Sequence, residues 1–188
     1  RRSFGGGMTI RKPVLYLYPE NDNFEVKVKV LAKKGEISSR YPIIKSEDSE
    51  TWAVKVNKKG EIQYHNRTHY YLFWEVKSNF KFKQEEGFVI KGEDSFSFFE
   101  EKLAFFGFNE REANDFITFW CPLIEHSKYV SINFQGKDYD SNFPLIIDPR
   151  PDTIRRIFMT FKLIDEKIEI PEQNLSEFQI RDRKGFLV

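Results

Sequence analysis

The chain has 188 residues, the size of one ordinary domain that buries roughly two thirds of its unfolded surface without a covalent staple. Lys and Arg number 30 against 29 Asp and Glu, a net charge of +1, so there is no global field of the kind that selects nucleic acid or an anionic membrane surface. The single cysteine, Cys121, excludes an intrachain disulfide framework and any multi-cysteine metal site, and no run of about 18 apolar residues offers a membrane-spanning helix.

The chain begins Arg1-Arg2-Ser3-Phe4-Gly5-Gly6-Gly7 rather than with Met. Three glycines cost much backbone entropy to order, so residues 1–10 read as a flexible leader, tag or targeting remnant and residues 11–188 as a single α+β domain. Next comes Lys12-Pro13-Val14-Leu15-Tyr16-Leu17-Tyr18-Pro19. Each proline lacks an N–H donor, which delimits one short strand between them. Val14, Tyr16 and Tyr18 point one way, Leu15 and Leu17 the other. Both faces are apolar or aromatic, which predicts a central strand covered on both sides.

Residues 24–30 alternate strictly, apolar at Phe24, Val26, Val28 and Val30 and charged between, as a half-buried antiparallel strand does. A turn at Lys33-Lys34-Gly35 leads to a partner over residues 36–44. Residues 51–56 and 61–64, separated by Asn57-Lys58-Lys59-Gly60, carry a hairpin signal. Residues 70–76 and 87–91 add two further strands. From Ser95 the period becomes helical: Phe96, Phe99, Leu103 and Phe106 recur at helix spacing, with Asp94 or Ser95 as cap and Gly107 at the left-handed end. Asn109-Glu110-Arg111-Glu112 has the form of a capping box. It opens a second helix with Ala113, Phe116, Ile117 and Trp120 on one stripe, which Pro122 should stop or kink. The helical hairpin spans about residues 95–121. Strands return at 129–134, 145–147 and 153–161, the last with Ile154, Arg156, Phe158 and Thr160 on one side. The fold class is therefore α+β: a mainly antiparallel sheet or sandwich with a two-helix hairpin packed on one side.

Residues 12–19, Tyr71-Leu72-Phe73-Trp74-Glu75, Gly87-Phe88-Val89-Ile90-Lys91-Gly92-Glu93-Asp94, the run from Asn109 to Phe116, and Pro151-Asp152-Thr153 together resemble the signature blocks of an uncharacterised bacterial family. Its motif reads approximately K-P-V-I-Y-L-Y-P. The blocks run in the family's order over most of residues 12–173. The resemblance implies no activity, and the exported or lipid-anchored character of some members fixes no compartment for this chain.

No complete catalytic set emerges. His65 and His69 flank Asn66-Arg67-Thr68 in a turn, whereas a His-x₃-His metal pair needs one face of a helix. His126 suits the negative end of the second helix. Cys121 follows Trp120 near a helix C-terminus, where a buried structural thiol is expected rather than a reactive thiolate. The sequence calls for no cofactor and no metal. Carboxylates are the better lead. Glu75 alternates with Tyr71 and Phe73, which places it beside aromatics, as a sugar-binding or glycosidase carboxylate would be. Asp115 lies on the second helix. Arg156, on the side of Ile154 and Phe158, needs a partner, for which Glu75, Asp115 or Asp152 serve. Three functions follow in order: a non-catalytic interaction module or structural subunit with a protein partner; a carbohydrate-active or carbohydrate-binding domain using Glu75 and its aromatic neighbours; and a small-anion or peptide binder using Arg156.

Overall fold

The computed structural model describes the backbone of residues 8–10 and all of residues 13–179 and 183–188. In chain order these form β1 Met8–Ile10, β2 Val14–Leu15, β3 Phe24–Val30, β4 Glu36–Tyr41, β5 Trp52–Val56, β6 Ile62–Tyr64, β7 Arg67–His69, β8 Leu72–Ser78 and β9 Phe88–Lys91. They continue as α1 Ser95–Phe106, α2 Glu110–Ile124, β10 Tyr129–Gln135, α3 Lys137–Asn142, β11 Leu145–Asp148 and β12 Phe158–Ile164. All pairings between these strands are antiparallel, so the α+β class with antiparallel sheets is the observed one. The chain divides into two compact units. One comprises Arg1–Lys81, Lys137–Arg155 and Arg183–Val188; the other comprises Phe82–Gly136 and Arg156–Asp182.

The first unit holds two sheets. In one, β8 is the centre, with β4 along one edge and β2 then β1 along the other. The second runs in the order β11-β3-β5-β6-β7. The alternation read in residues 24–30 is realised: Val26, Val28 and Val30 are buried and Glu25 and Lys27 exposed. Trp52, Val54, Val56, Ile62 and Tyr64 extend that buried face, and Leu72, Trp74, Val76, Leu15 and Leu17 form the buried face of the other sheet. Trp52 Nε1 donates to the Pro42 carbonyl just past β4 at 2.8 Å, joining the two sheets. The expected turn at residues 57–60 is made by Asn57, whose Oδ1 accepts from Lys59 N at 3.0 Å and Glu61 N at 2.9 Å. Gly60 closes it at φ +78°.

Several expectations are corrected here. The turn at residues 33–35 does not make a hairpin. It passes the chain from β3 in one sheet to β4 in the other, and Gly35 permits it because a Cβ there would lie 2.3 Å from the Lys77 carbonyl oxygen. β4 ends at Tyr41 rather than at residue 44. The centre of its sheet is β8, not the proline-bounded run. Among the described residues that run meets β8 at Val14 and Leu15 and through the Pro13 carbonyl, which accepts from Trp74 N at 3.4 Å, and then pairs at Tyr18 with Leu187. One of its faces is sealed by Leu15 and Leu17, while Val14, Tyr16 and Tyr18 stay half-buried, so it is not covered on both sides. Of the leader read over residues 1–10, only 8–10 lie among the described residues, and they form β1.

In the second unit the sheet order is β12-β10-β9, and both helices pack on one face of it. Phe99, Leu103 and Phe106 of α1 and Ile117, Trp120, Cys121 and Ile124 of α2 share a core with Val130, Ile132, Phe134 and Met159. Asn109 forms the expected capping box: Glu112 N donates to its side chain at 2.9 Å and Asn109 N donates to Glu112 Oε2 at 2.9 Å. Gly107 ends α1 in the left-handed conformation at φ 83°. Asp94 makes no side-chain cap, and Phe96 stands 40% exposed rather than in the core. The helix α2 runs two residues past Pro122. β12 begins at Phe158, not at residue 153, and Ile157, Met159 and Phe161 face the helices. Ile154 is exposed and Phe158 packs against Phe82 at 5.0 Å, so neither marks the helix-facing side.

Polar residues manage the other face of β10. Asn133 Nδ2 donates to the Glu86 carbonyl at 2.8 Å and Gln135 Nε2 to the Lys83 carbonyl at 2.9 Å, which holds residues 82–86 over the sheet. Where the β9 register ends at Phe88 opposite Ile132, the amide of Gln173 takes over. Its Oε1 accepts from Phe134 N at 2.9 Å and its Nε2 donates to Phe134 O at 2.7 Å, the two bonds that a neighbouring strand would have made.

Candidate functional site

The register of β8 builds an aromatic surface on the first unit. Tyr41 and Val14 lie opposite Phe73 on either side, and Ser39 lies opposite Glu75. Residues two apart share a strand face, so Tyr71, Phe73 and Glu75 line the side turned away from Trp74, as the alternation predicts. Tyr16 meets Tyr71 edge to face at 5.9 Å, and Tyr16 and Tyr18 stand nearly parallel, 6.3 Å apart with 7° between planes. Glu75 is half-buried at the end of this row, and no ion pair to it is formed among the described residues. Tyr41, 47% exposed, also meets the His69 ring at 5.3 Å, while Ile43 and Tyr70 nearby are 76% and 52% exposed. Glu75 thus lies beside aromatics, whereas Tyr16, Tyr18 and Tyr41 join the row through strand pairing that no local pattern announces.

Asp115 and Arg156 belong to the second unit and Glu75 to the first. Asp115 is half-buried on α2; Arg156 is half-buried in the stretch leading to β12. Cys121 is a buried free thiol, and burial pushes its pKa up, with Ser95 as the nearest opposing influence. That is the expected structural cysteine. The His126 side chain, just past the end of α2, is 90% exposed, with Nε2 3.8 Å from Glu125 Oε1.

A second cluster in the first unit gathers around Asp48. The Tyr64 hydroxyl donates to Asp48 Oδ2 at 2.7 Å, and His65 Nε2 lies 3.7 Å from the same oxygen. Burial pushes the Tyr64 hydroxyl above its ordinary value, and the bond to Asp48 adds to this. Ser49, Glu50 and His65 all adopt positive φ, at 49°, 60° and 51°. Such conformations store roughly 1–3 kcal/mol each and persist only where the surroundings enforce them. Here Asp48 ties the two strained loops together.

His69, next to this cluster on β7, is buried. Desolvation holds its pKa below the ordinary value, and the Arg67 charge pushes the same way. The folded state therefore prefers neutral imidazole, and the unfolded chain binds the proton more readily. The stability this contributes is present above the unfolded value near pH 6.5 and is lost as pH falls through the folded one. Urea unfolding at pH 7.5 and 5.5 should show a loss of stability on the acid side for the wild type that is smaller in His69→Gln; an identical loss in both refutes the assignment.

The third arrangement joins two of the signature blocks. Tyr18 exchanges two backbone bonds with Leu187, at 2.9 and 3.0 Å. Asp152 Oδ2 accepts from Phe186 N at 2.7 Å, and Val188 N donates to the Thr153 carbonyl at 2.9 Å. Asp152, considered as an ion-pair partner for Arg156, thus serves as the acceptor for a backbone donor.

Over 64 residues the chain is 42% identical to a protein from Butyrivibrio fibrisolvens described as "Uncharacterized protein in bglA 3'region". The match covers 34% of this chain and 64% of that protein, slightly less than two thirds of the relative's own length. No family model matches the chain, and no solved structure matches it. The chain is similar to an uncharacterised bacterial protein, and the likeness brings no activity with it.

Proposed function

We propose that the protein is a non-catalytic interaction module that binds a partner protein through the aromatic face of the four-stranded sheet. One observation carries this reading: strand register aligns Tyr41, Phe73, Tyr71, Tyr16 and Tyr18 on one side of the sheet, with Tyr41 about half exposed. Tyrosine supplies large contact area at little rotamer entropy and keeps a polar tip, which is why it is enriched at interfaces. Half-buried aromatics in a row beside the exposed Tyr41 give the face an apolar surface with polar tips, which favours a binding role over a solvated one. The near-parallel rings of Tyr16 and Tyr18, together with Glu75, support a second reading in which the same face stacks on sugar rings. The likeness to the Butyrivibrio protein supports placing the chain in an uncharacterised bacterial family.

The variant Tyr41→Ser/Tyr71→Ser tests both readings, with far-UV circular dichroism and melting temperature as controls for folding. A protein recovered by chemical cross-linking with the wild type, and at least tenfold less with the variant, supports the interaction module. Binding of the wild type on a glycan array, lost in the variant, transfers the site to carbohydrate. The same cross-linked products and array signals from both proteins rule the face out.

A further inference from the structure

We propose that Asp48, Tyr64 and His65 form a binding site for a ferric ion, held by the carboxylate, the phenol oxygen and the imidazole. The inference rests on residues other than the tyrosine face and stands or falls separately from it.

The three side chains converge on one atom. Tyr64 Oη donates to Asp48 Oδ2 at 2.7 Å, and His65 Nε2 stands 3.7 Å from that same oxygen. Ligands held about 2.0–2.2 Å from one ion are roughly 3 Å apart at a right angle and roughly 3.7 Å apart at about 125°. Both separations are therefore close to those of neighbouring ligands.

The backbone explains how consecutive residues reach one carboxylate. In a regular strand Tyr64 and His65 would point to opposite faces. His65 instead takes φ 51° in the turn after β6, which brings its ring within 4.2 Å of the Tyr64 ring. On the other loop Ser49 and Glu50, at φ 49° and 60°, follow directly on Asp48. Strain of this kind gathers at ligand clamps, where the surroundings hold it in place.

The donor set selects the ion. None of the three donors is a thiolate or thioether, and two oxygens with one imidazole suit iron, zinc or copper better than calcium or magnesium. Among the described residues no three His, Cys, Asp or Glu side chains are placed for a metal, so the site depends on its phenol. A phenol binds a metal after losing its proton, which the charge of the ion drives. That favours a trivalent ion, and tyrosine is among the ligands that hold iron in haem proteins. On binding, an iron–oxygen bond replaces the Tyr64 O–H bond, the proton passes to solvent and the iron stays ferric. A backbone hydrogen bond from Lys45 reaches the phenol oxygen, and the Glu47 charge acts on the same group. The side chains of His65 and Asp48 are 41% and 26% exposed, which gives the ion a path in and leaves room for water ligands.

Ferric nitrilotriacetate titrated into the full chain tests the site, with far-UV circular dichroism as the control for folding. The wild type should develop a visible phenolate-to-iron charge-transfer band that saturates at one ion per chain. Tyr64→Phe keeps the ring and loses only the oxygen, so the band should vanish. Tyr70→Phe, at an exposed tyrosine, should keep it. Asp48→Asn and His65→Gly should each weaken binding at least tenfold; glycine accepts the positive φ at residue 65, so the turn is retained. No band in the wild type, or a band of equal strength in Tyr64→Phe, overturns the proposal. Where Tyr64→Phe does not fold, unchanged affinity in His65→Gly overturns it instead.

Discussion

Phe106→Ala is expected to destabilise the second unit by about 3–5 kcal/mol, the range for removing a fully buried phenylalanine ring from a core that cannot collapse around the gap. Phe106 is 0% exposed, and its ring lies 5.0 Å from Phe134 of β10 and 5.7 Å from Phe178. It therefore ties α1 both to the central strand and to the turn at Ser176–Phe178. Truncation removes the transfer contribution of the ring and leaves a cavity bordered by other rigid rings, Phe108 among them at 6.5 Å. The adjacent Phe105 is 41% exposed, so Phe105→Ala should cost no more than about 1 kcal/mol by the same reasoning. Urea denaturation of the two variants measures the contrast. A loss in Phe106→Ala no greater than that in Phe105→Ala means that this ring does not hold the unit together.

Gly92→Ala should be nearly as damaging, for a reason unrelated to hydrophobic burial. A Cβ at residue 92 would lie 2.3 Å from the carbonyl oxygen of Ser127, 2.4 Å from that of Ile124 and 2.9 Å from that of Glu125. These carbonyls lie at and just beyond the end of α2, where a helix leaves its last acceptors without intrahelical donors. Gly92 approaches this end closely: its N–H donates to Ser127 O, just beyond the helix, at 3.1 Å, while its bare Cα sits against the carbonyls of Ile124 and Glu125. Backbone oxygens cannot rotate aside as a side chain does, so the methyl group displaces the helix end or the strand. The expected cost is about 3 kcal/mol. Gly136→Ala is the useful comparison, because the nearest atom there is a Phe178 ring carbon at 3.3 Å, which can shift. Thermal melts in which both alanine variants behave alike would falsify the notch at Gly92.

Much of the local structure was legible because it is set by neighbours in sequence. The alternation of β3, the Asn57 turn, the capping box at Asn109 and the left-handed Gly107 each need only a few adjacent residues to be recognised. What escaped depends on pairing between distant segments. Nothing around residues 33–35 distinguishes a hairpin turn from a passage between sheets; the difference lies in β8, which pairs with β4 and is encoded some forty residues later. For the candidate site, Glu75 and its neighbours Tyr71 and Phe73 followed from alternation alone. Tyr16, Tyr18 and Tyr41 required the register of β8. Residues 153–161 misled because arginines at 155 and 156 interrupt an apolar pattern that suits either phase, and the ladder to β10 selects Met159 and Phe161 for the helix side. The tail after Pro171 has no period to read, since its contributions are single residues: Gln173 standing in for a strand and Phe186 anchoring one.

The division of the chain between the two units has a consequence for biosynthesis. Every segment of the second unit lies between residues 82 and 182, whereas the first draws on both ends of the sequence and finishes with residues 183–188. A ribosome delivers the chain in order, and segments generally fold as soon as their partners have emerged. The strand that bonds Tyr18 and Thr153 is therefore delivered last to the unit that begins first. Until residues 183–188 arrive, Tyr18 and Thr153 have no strand to bond, so the unit that begins first cannot be finished before the whole of the second has been delivered.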